Sequence, residues 1–288
     1  MNKFVYTFRS VTQKSQQDMY PHSAYKIVIS QDFTGLCNQL WSVISGIITC
    51  IKEEKHVLLI DKFLLNVHTK SYCPISHILN LPSMNIYLQK YNLTLVDYDQ
   101  LNTRKMSNVK TLVSFDWKVI QDPDNTSLRN ELYQNIRFVP SVVYPPLNFI
   151  SGILNRIKKS TINVIHLRIE QDWLDHVSSC RKPRISSNVV YNEIATNYIG
   201  LIQKYILPNE LTFVLTGSTD NRVIDYLRSN RYAYALFPKI TPYREKNAAM
   251  DMVIGKQCNN VFIGCGGSSF SDILKHRIVG ENVRQYLC

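Results

Sequence analysis

Residues 25–61 read YKIVISQDFTGLCNQLWSVISGIITCIKEEKHVLLID, and this stretch decides the fold. Tyr25–Ser30 is a strand-like run. It leads through Gly35-Leu-Cys-Asn-Gln into an apolar helical stretch from about Leu40 to Ile51, and His56–Asp61 resumes strand character. A strand, a turn, a helix and a second strand in that order call for a crossover connection, so the strands are expected to lie parallel in one sheet. Glycine at position 35 lets another group approach the backbone closely, and the free N–H groups at the start of the helix suit an anion. Asn38 and Gln39 add amide donors. The motif is not G-x-G-x-x-G, so a dinucleotide site of Rossmann type has no support.

The alternation continues downstream. A helix covers part of Ile75–Lys90, with strands at Leu93–Val96 and near Thr111–Phe115. At 139–146 the chain turns proline-rich (VPSVVYPP), where helices and central strands are disfavoured, which marks a linker. Beyond it come a strand at 162–169, a helix at about 188–206, a strand at 211–215, a helix at about 220–229 and a strand at 233–237. A helix at about 246–257, the strand Asn260–Gly264 and a helix opening near Ser268 follow. The expected fold class is α/β, with two halves bounded at 1–145 and 146–288, each built on its own parallel sheet.

At 288 residues, 45% hydrophobic and 19% charged, the composition is that of a globular protein with a full core. No apolar run reaches the roughly 20 residues a membrane-spanning helix needs, and Met1 to Tyr20 has no signal-peptide pattern. The chain as it stands therefore reads as cytoplasmic. Seven cysteines, an odd number with no CxxC pair, argue against a zinc site and a complete disulfide framework. The net charge is +11; residues through Ile150 hold 15 basic and 11 acidic side chains, and the remainder 18 and 11. That excess suits an anionic ligand bound mainly by the second half. No zinc knuckle, aromatic RNP-like strand or long basic block supports nucleic acid as a partner.

Two further clusters carry chemistry. Residues 164–172, VIHLRIEQD, deliver His166, Arg168, Glu170 and Asp172 at alternate positions, so a strand puts all four on one face. A guanidinium suits a phosphate and a neighbouring carboxylate suits a proton, which together fit the transfer of a sugar from a nucleoside diphosphate to a hydroxyl. The basic run CRKPR at 180–184 is a candidate loop over the same cleft. The other cluster is Gly264-Cys-Gly-Gly-Ser-Ser-Phe-Ser, a glycine-rich turn entering a helix, whose N–H groups and hydroxyls suit a phosphate. It lacks the lysine of a Walker loop, so ATP hydrolysis is not indicated. Asp251, on the preceding helix, is placed to accept hydrogen bonds from a purine edge.

Four stretches in order, GLCNQLWSVISGIITCIKEEKHVLLID (35–61), SHILNLPSMNIYLQKYNLTLVD (76–97), IHLRIEQDWLDHVSSC (165–180) and AAMDMVIGKQCNNVFIGCGGSSFSDILKHR (248–277), resemble the GDP-fucose protein O-fucosyltransferase-type glycosyltransferases. That group also includes plant O-fucosyltransferase-like proteins and, more distantly, core α1,6-fucosyltransferases. The resemblance implies a GT-B fold, two Rossmann-like domains facing across a cleft. It also implies inverting, metal-independent transfer, without a cofactor, from a nucleotide sugar to a glycan or protein acceptor. By position, Gly35, Asn38 and Gln39 belong to the donor site, with Asn38 at the phosphate or sugar. Arg168 holds the β-phosphate, with His166 beside it at the nucleotide. Asp251 holds the base, and Ser268, Ser269 and Phe270 line the diphosphate and nucleoside pocket. Family members commonly carry a second basic residue after the HxR element, where this chain has Ile169 and then Glu170. Plant-like relatives are closer here, and some use UDP-rhamnose rather than GDP-fucose. For the catalytic base the order of preference is Glu170, then Asp172, with Asp32 an outsider from the other half.

Overall fold

Three runs, VLLI, INVIH and LTFVL, are buried at every position, the signature of parallel strands covered on both faces. They are central strands of two sheets in a computed structural model that describes residues 24–28, 35–66, 69–98, 109–113, 117–158, 160–278, 280 and 283–287. The N-terminal half runs β1 (Ala24–Val28), α1 (Leu36–Lys52), β2 (Val57–Ile60), β3 (Phe63–Asn66), β4 (Ser71–Cys73), α2 (Leu81–Leu88), β5 (Thr94–Asp97), β6 (Val109–Val113), α3 (Trp117–Gln121) and α4 (Thr126–Asn135). Its parallel sheet has the order β5-β2-β1-β6, while β3 and β4 form a separate antiparallel pair.

After α5 (Pro140–Ile157) the second half runs β7 (Ile162–His166), α6 (Gln171–Cys180), α7 (Ser187–Tyr205), β8 (Leu211–Leu215), α8 (Arg222–Ser229), β9 (Tyr234–Ala235), α9 (Arg244–Gly255), β10 (Val261–Gly264), α10 (Ser269–Arg277) and β11 (Arg284–Leu287). All five strands are parallel in the order β11-β10-β7-β8-β9. The chain winds outward from β7 through β8 to β9 and then returns to β7's other side with β10. A topological switch point therefore lies between the carboxyl ends of β7 and β10, where open α/β sheets receive ligands. The N-terminal sheet has its own switch point beside β1, which feeds the Gly35 turn.

The expected linker at 139–146 is a helix instead, and the 145/146 boundary falls inside it. Pro140 occupies the first turn of α5, where no N–H is required. Pro145 and Pro146 lie in its interior and remove two backbone hydrogen bonds, yet Val142, Pro146 and Ile150 bury one face of the helix, and α5 packs on α9. Packing overrides propensity here. A single apolar cluster runs from Ile44 and Ile47 on α1 through Phe138 and Ile150 to Met250, Ile254 and Leu274, so both halves share one core.

α1 buries 13 of its 17 residues. Gly46 lets it lie directly on β1: a Cβ there would meet Ile27 Cδ1 at 1.8 Å and Cγ1 at 2.8 Å. Gly46→Val is expected to destabilise the protein by about 1–3 kcal/mol, read as a lower urea midpoint at unchanged slope. Cys37, Cys50, Cys73, Cys180, Cys258 and Cys265 form no disulfide. Among the described residues no helix is long and apolar enough to cross a membrane.

Candidate active site

β7 stops at His166, three residues earlier than its apolar alternation suggests. Leu167 N–H still donates to Leu215 O, but residues 167–170 form a connection, and Asp172 lies in the first turn of α6. His166, Arg168, Glu170 and Asp172 nonetheless all line one cleft of about 830 Å³ between the two halves. Arg168 Nη1 donates to Glu170 Oε2 at 2.7 Å and its Nη2 to Asp172 Oδ2 at 2.8 Å. Burial opposes the guanidinium's charge, but the two carboxylates more than offset it and raise its pKa. Asp172 answers in kind: burial raises its carboxyl, yet Arg168 pulls it below its ordinary value. Glu170 is further tied by the Gly217 N–H, which donates to its Oε1 at 2.8 Å. Both residues read as bases are thus counter-ions of Arg168. Asp32 lies outside the described residues.

His166 is buried and stacks on Phe270, with ring centroids 4.4 Å apart. Burial first, and the charge of Arg168 second, push its pKa down to about 3, so the ring is neutral. Its Nδ1 lies 2.7 Å from Ser271 Oγ, which itself accepts the Cys265 N–H at 2.8 Å. The serine hydroxyl keeps its own proton and a second lone pair for the ring, so either neutral tautomer of His166 satisfies this contact.

The serine turn faces this group from β10. Gly267 has φ +77°, in the left-handed region that favours glycine, with the Trp173 ring 3.4 Å from where a Cβ would stand. Ser268 is buried at the N-cap position of α10, but its side chain makes no capping hydrogen bond. Ser268, Ser269 and Phe270 all line the cleft. Asp251 lines it too, 8% exposed, with Lys239 Nζ 2.7 Å from Oδ2. Burial, against the pull of Lys239, raises the Asp251 carboxyl to about 6. The connection carrying Lys239 is clamped to α9 by Asn247, whose Nδ2 donates to Thr241 O and whose Oδ1 accepts the Thr241 N–H.

The opposite wall is the start of α1. Gly35, Leu36, Cys37 and Asn38 line the cleft. Gly35 has an ordinary backbone, and a Cβ there would meet nothing within 4 Å, so the fold itself does not demand glycine. Gln39, read as a ligand donor, is buried away from the cleft. Its Nε2 donates to Leu64 O and its Oε1 accepts the Leu64 N–H, each at 2.8 Å, so its amide pins β3 to α1. The 180–184 run does not line the cleft either; Arg181 pairs with Glu193 on α7. Among the described residues no group of three or more His, Cys, Asp or Glu side chains is placed to hold a metal ion.

Solved structures share this fold over most of the chain. POFUT1 in complex with GDP-fucose superposes with a TM-score of 0.58 at 10% identity, covering 92% of this chain and 97% of that one. The fold is that of the GT-B fucosyltransferases. Fucosyltransferase NodZ from Bradyrhizobium gives 0.55 at 14% identity, covering 88% and 92%. NodZ α1,6-fucosyltransferase co-crystallised with GDP gives 0.56 at 14%, covering 88% and 91%. No family model and no curated protein matches the sequence.

Within this GT-B cleft, sequence reasoning passed over Lys239, Arg244 and Glu245. Glu245, in the first turn of α9, is 2% exposed. Its Oε2 accepts the Leu36 N–H at the N-terminus of α1, so a carboxylate of one half fills the anion position that α1 offers in the other. Burial pushes this carboxyl up to about 7, against the opposing pull of Arg244, the Leu36 N–H and Arg168. The folded state thus holds the proton more tightly than the unfolded chain, whose ordinary value is 4.5. That contribution to stability is full below about pH 4.5 and is lost as pH climbs through about 7. Glu245→Gln is therefore expected to stabilise the free protein at about pH 8, by roughly 1–3 kcal/mol, and to leave it unchanged near pH 5. Melting temperatures of both proteins at the two pH values test this.

Proposed function

We propose that this protein is an inverting, metal-independent glycosyltransferase. It moves fucose, or a related deoxyhexose, from GDP-fucose or a similar nucleotide sugar to a hydroxyl of a glycan or protein. The observation that carries the reading is the position of Arg168. It stands at the switch point of the second sheet, in one cleft with the Ser268–Phe270 turn and the α1 turn of the other half. POFUT1 in complex with GDP-fucose and NodZ with GDP have the same fold.

In this reading the diphosphate lies between Arg168 and the serine turn. The base reaches Asp251 and Lys239, and the sugar faces Asn38 and the α1 turn. As the acceptor oxygen attacks the anomeric carbon, the bond to the β-phosphate oxygen breaks and its electron pair passes to the diphosphate. Charge grows on that group, and donors already in place stabilise it without reorganising. Neutral His166, held by Ser271 and stacked on Phe270, shapes the nucleotide side of the pocket without adding charge.

One observation favours a second reading, a binding protein without turnover: both outer nitrogens of Arg168 are engaged by carboxylates of its own chain. GDP release from GDP-fucose separates the two. The transferase reading expects a rise in melting temperature with GDP, since a ligand of the native state adds about 2.7 kcal/mol at a hundred times its Kd, and GDP release from the sugar nucleotide. Binding without release favours the second reading. No response to GDP, UDP or their sugars at about 1 mM overturns the transferase reading and leaves, of the second, only a protein that binds a glycan.

A further inference from the structure

We propose that Glu245 is the base that takes the proton from the attacking hydroxyl, an assignment that rests on the glycosyl-transfer reading above. Three observations carry it. Glu245 lines the cleft at the seam where α9 meets the α1 turn, which is the side of the N-terminal half, whereas Arg168 and the serine turn belong to the other. An inverting displacement needs its base on the face of the sugar away from the departing diphosphate, and among the described residues Glu245 is the cleft-lining carboxylate bonded to the α1 turn.

Next, one of its oxygens is fixed and the other is spare. Oε2 accepts the Leu36 N–H, while Oε1 is buried and makes no hydrogen bond. The cation nearest to it is Arg244, whose Nε stands 3.8 Å from Oε1 and whose side chain is 48% exposed. A buried carboxylate oxygen without a hydrogen-bond donor costs the fold stability, and such groups concentrate where a reaction needs them. Arg244 is half in solvent and makes no hydrogen bond to Oε1, so in this assignment the acceptor hydroxyl takes the place of a loose ion pair.

Third, the alternatives among the described residues are committed elsewhere. Glu170 and Asp172 are engaged by Arg168 on the leaving-group side, and Arg168 pulls the Asp172 carboxyl below its ordinary value. The groups facing Glu245 are Arg244 on its own helix, Arg168 after β7 and Cys37 on α1, with Asp172 on α6 reaching Arg244 at 3.9 Å. Burial outweighs the two arginines and sets the carboxyl at about 7, the range in which it takes a proton during the step and returns it to water afterwards. The step balances: the acceptor O–H gives its proton to Glu245, its oxygen bonds the anomeric carbon, and the diphosphate leaves with the electron pair of the broken bond.

Wild type and Glu245→Gln are compared with GDP-fucose as donor and either water or azide as acceptor, alongside GDP affinity. Water must lose a proton to react; azide has none to lose. The variant is expected to bind GDP within about threefold of wild type and to hydrolyse GDP-fucose about 10²-fold more slowly, without the rise in rate near pH 7. It should form the glycosyl azide at a rate within about fivefold of wild type, and Glu245→Asp should recover part of the hydrolysis. Hydrolysis at the wild-type rate overturns the assignment. So does an equal loss with water and azide, which marks a structural role, and so does wild-type protein that binds GDP yet releases none from GDP-fucose between about pH 5 and 9. Wild type that fails to bind GDP overturns the transferase reading itself, a separate outcome.

Discussion

Arg168→Ala is expected to slow GDP release from GDP-fucose by about 10²- to 10³-fold, the loss seen when one preorganised donor to a developing oxyanion is removed. The fold should survive. The Arg168 guanidinium bonds Glu170 and Asp172 and lies 5.9 Å from the centre of the Trp173 ring, while its backbone N–H, which an alanine keeps, donates to the Tyr198 hydroxyl at 3.4 Å. Glu170 keeps the Gly217 N–H as a partner, and Asp172 is more than half exposed. Arg168→Lys keeps the charge but not the planar fork, so it should recover little of the rate. The check is a rate measurement on both variants with circular dichroism as the control for folding. A wild-type rate from Arg168→Ala removes the residue from the chemistry.

Asp251→Ala should act on affinity rather than on the chemical step. A purine edge such as guanine's offers two neighbouring N–H donors to a carboxylate, and Lys239 at 2.7 Å from that carboxylate is placed to meet the adjacent carbonyl oxygen. Charge-assisted hydrogen bonds of about 1.5–3 kcal/mol put the loss of GDP affinity at roughly 10- to 100-fold. UDP affinity should change less, because uracil brings only one N–H. Calorimetric titration of both nucleotides into wild type and variant checks it, and equal losses for the two would place Asp251 away from the base. Free Asp251→Ala protein should remain folded, since Lys239 is 43% exposed and is left in water.

Much of the fold was legible because central parallel strands are uninterrupted apolar runs: 211–215 reads directly, and 162–166 differs only in where it stops. Its end was hidden because Leu167 and Ile169 continue the alternation, and both are buried although the strand is over. α5 was illegible because Pro145 and Pro146 argue against a helix interior, and burial of Val142, Pro146 and Ile150 outweighs them.

The site shows the same division. Motifs at strand ends pointed to His166, Arg168 and the serine turn, the helix before that turn pointed to Asp251, and one cleft brings them together. Gln39 misled because a buried amide that satisfies a neighbouring strand has the same letter as one that meets a ligand. Glu245 carried no signal at all: an acid in the first turn of a helix usually faces water and complements the helix dipole. Its importance arises from packing α9 against α1, between segments more than 200 positions apart.

The central claim is that the cleft holds a nucleoside diphosphate between Arg168 and the serine turn, and a crystal structure of the GDP complex tests it most directly. The account predicts the β-phosphate within about 3 Å of the Arg168 guanidinium, phosphate oxygens on the N–H groups and hydroxyls near Ser268, and the guanine edge on Asp251. GDP bound elsewhere, with Arg168 still clasped only by Glu170 and Asp172, would contradict it.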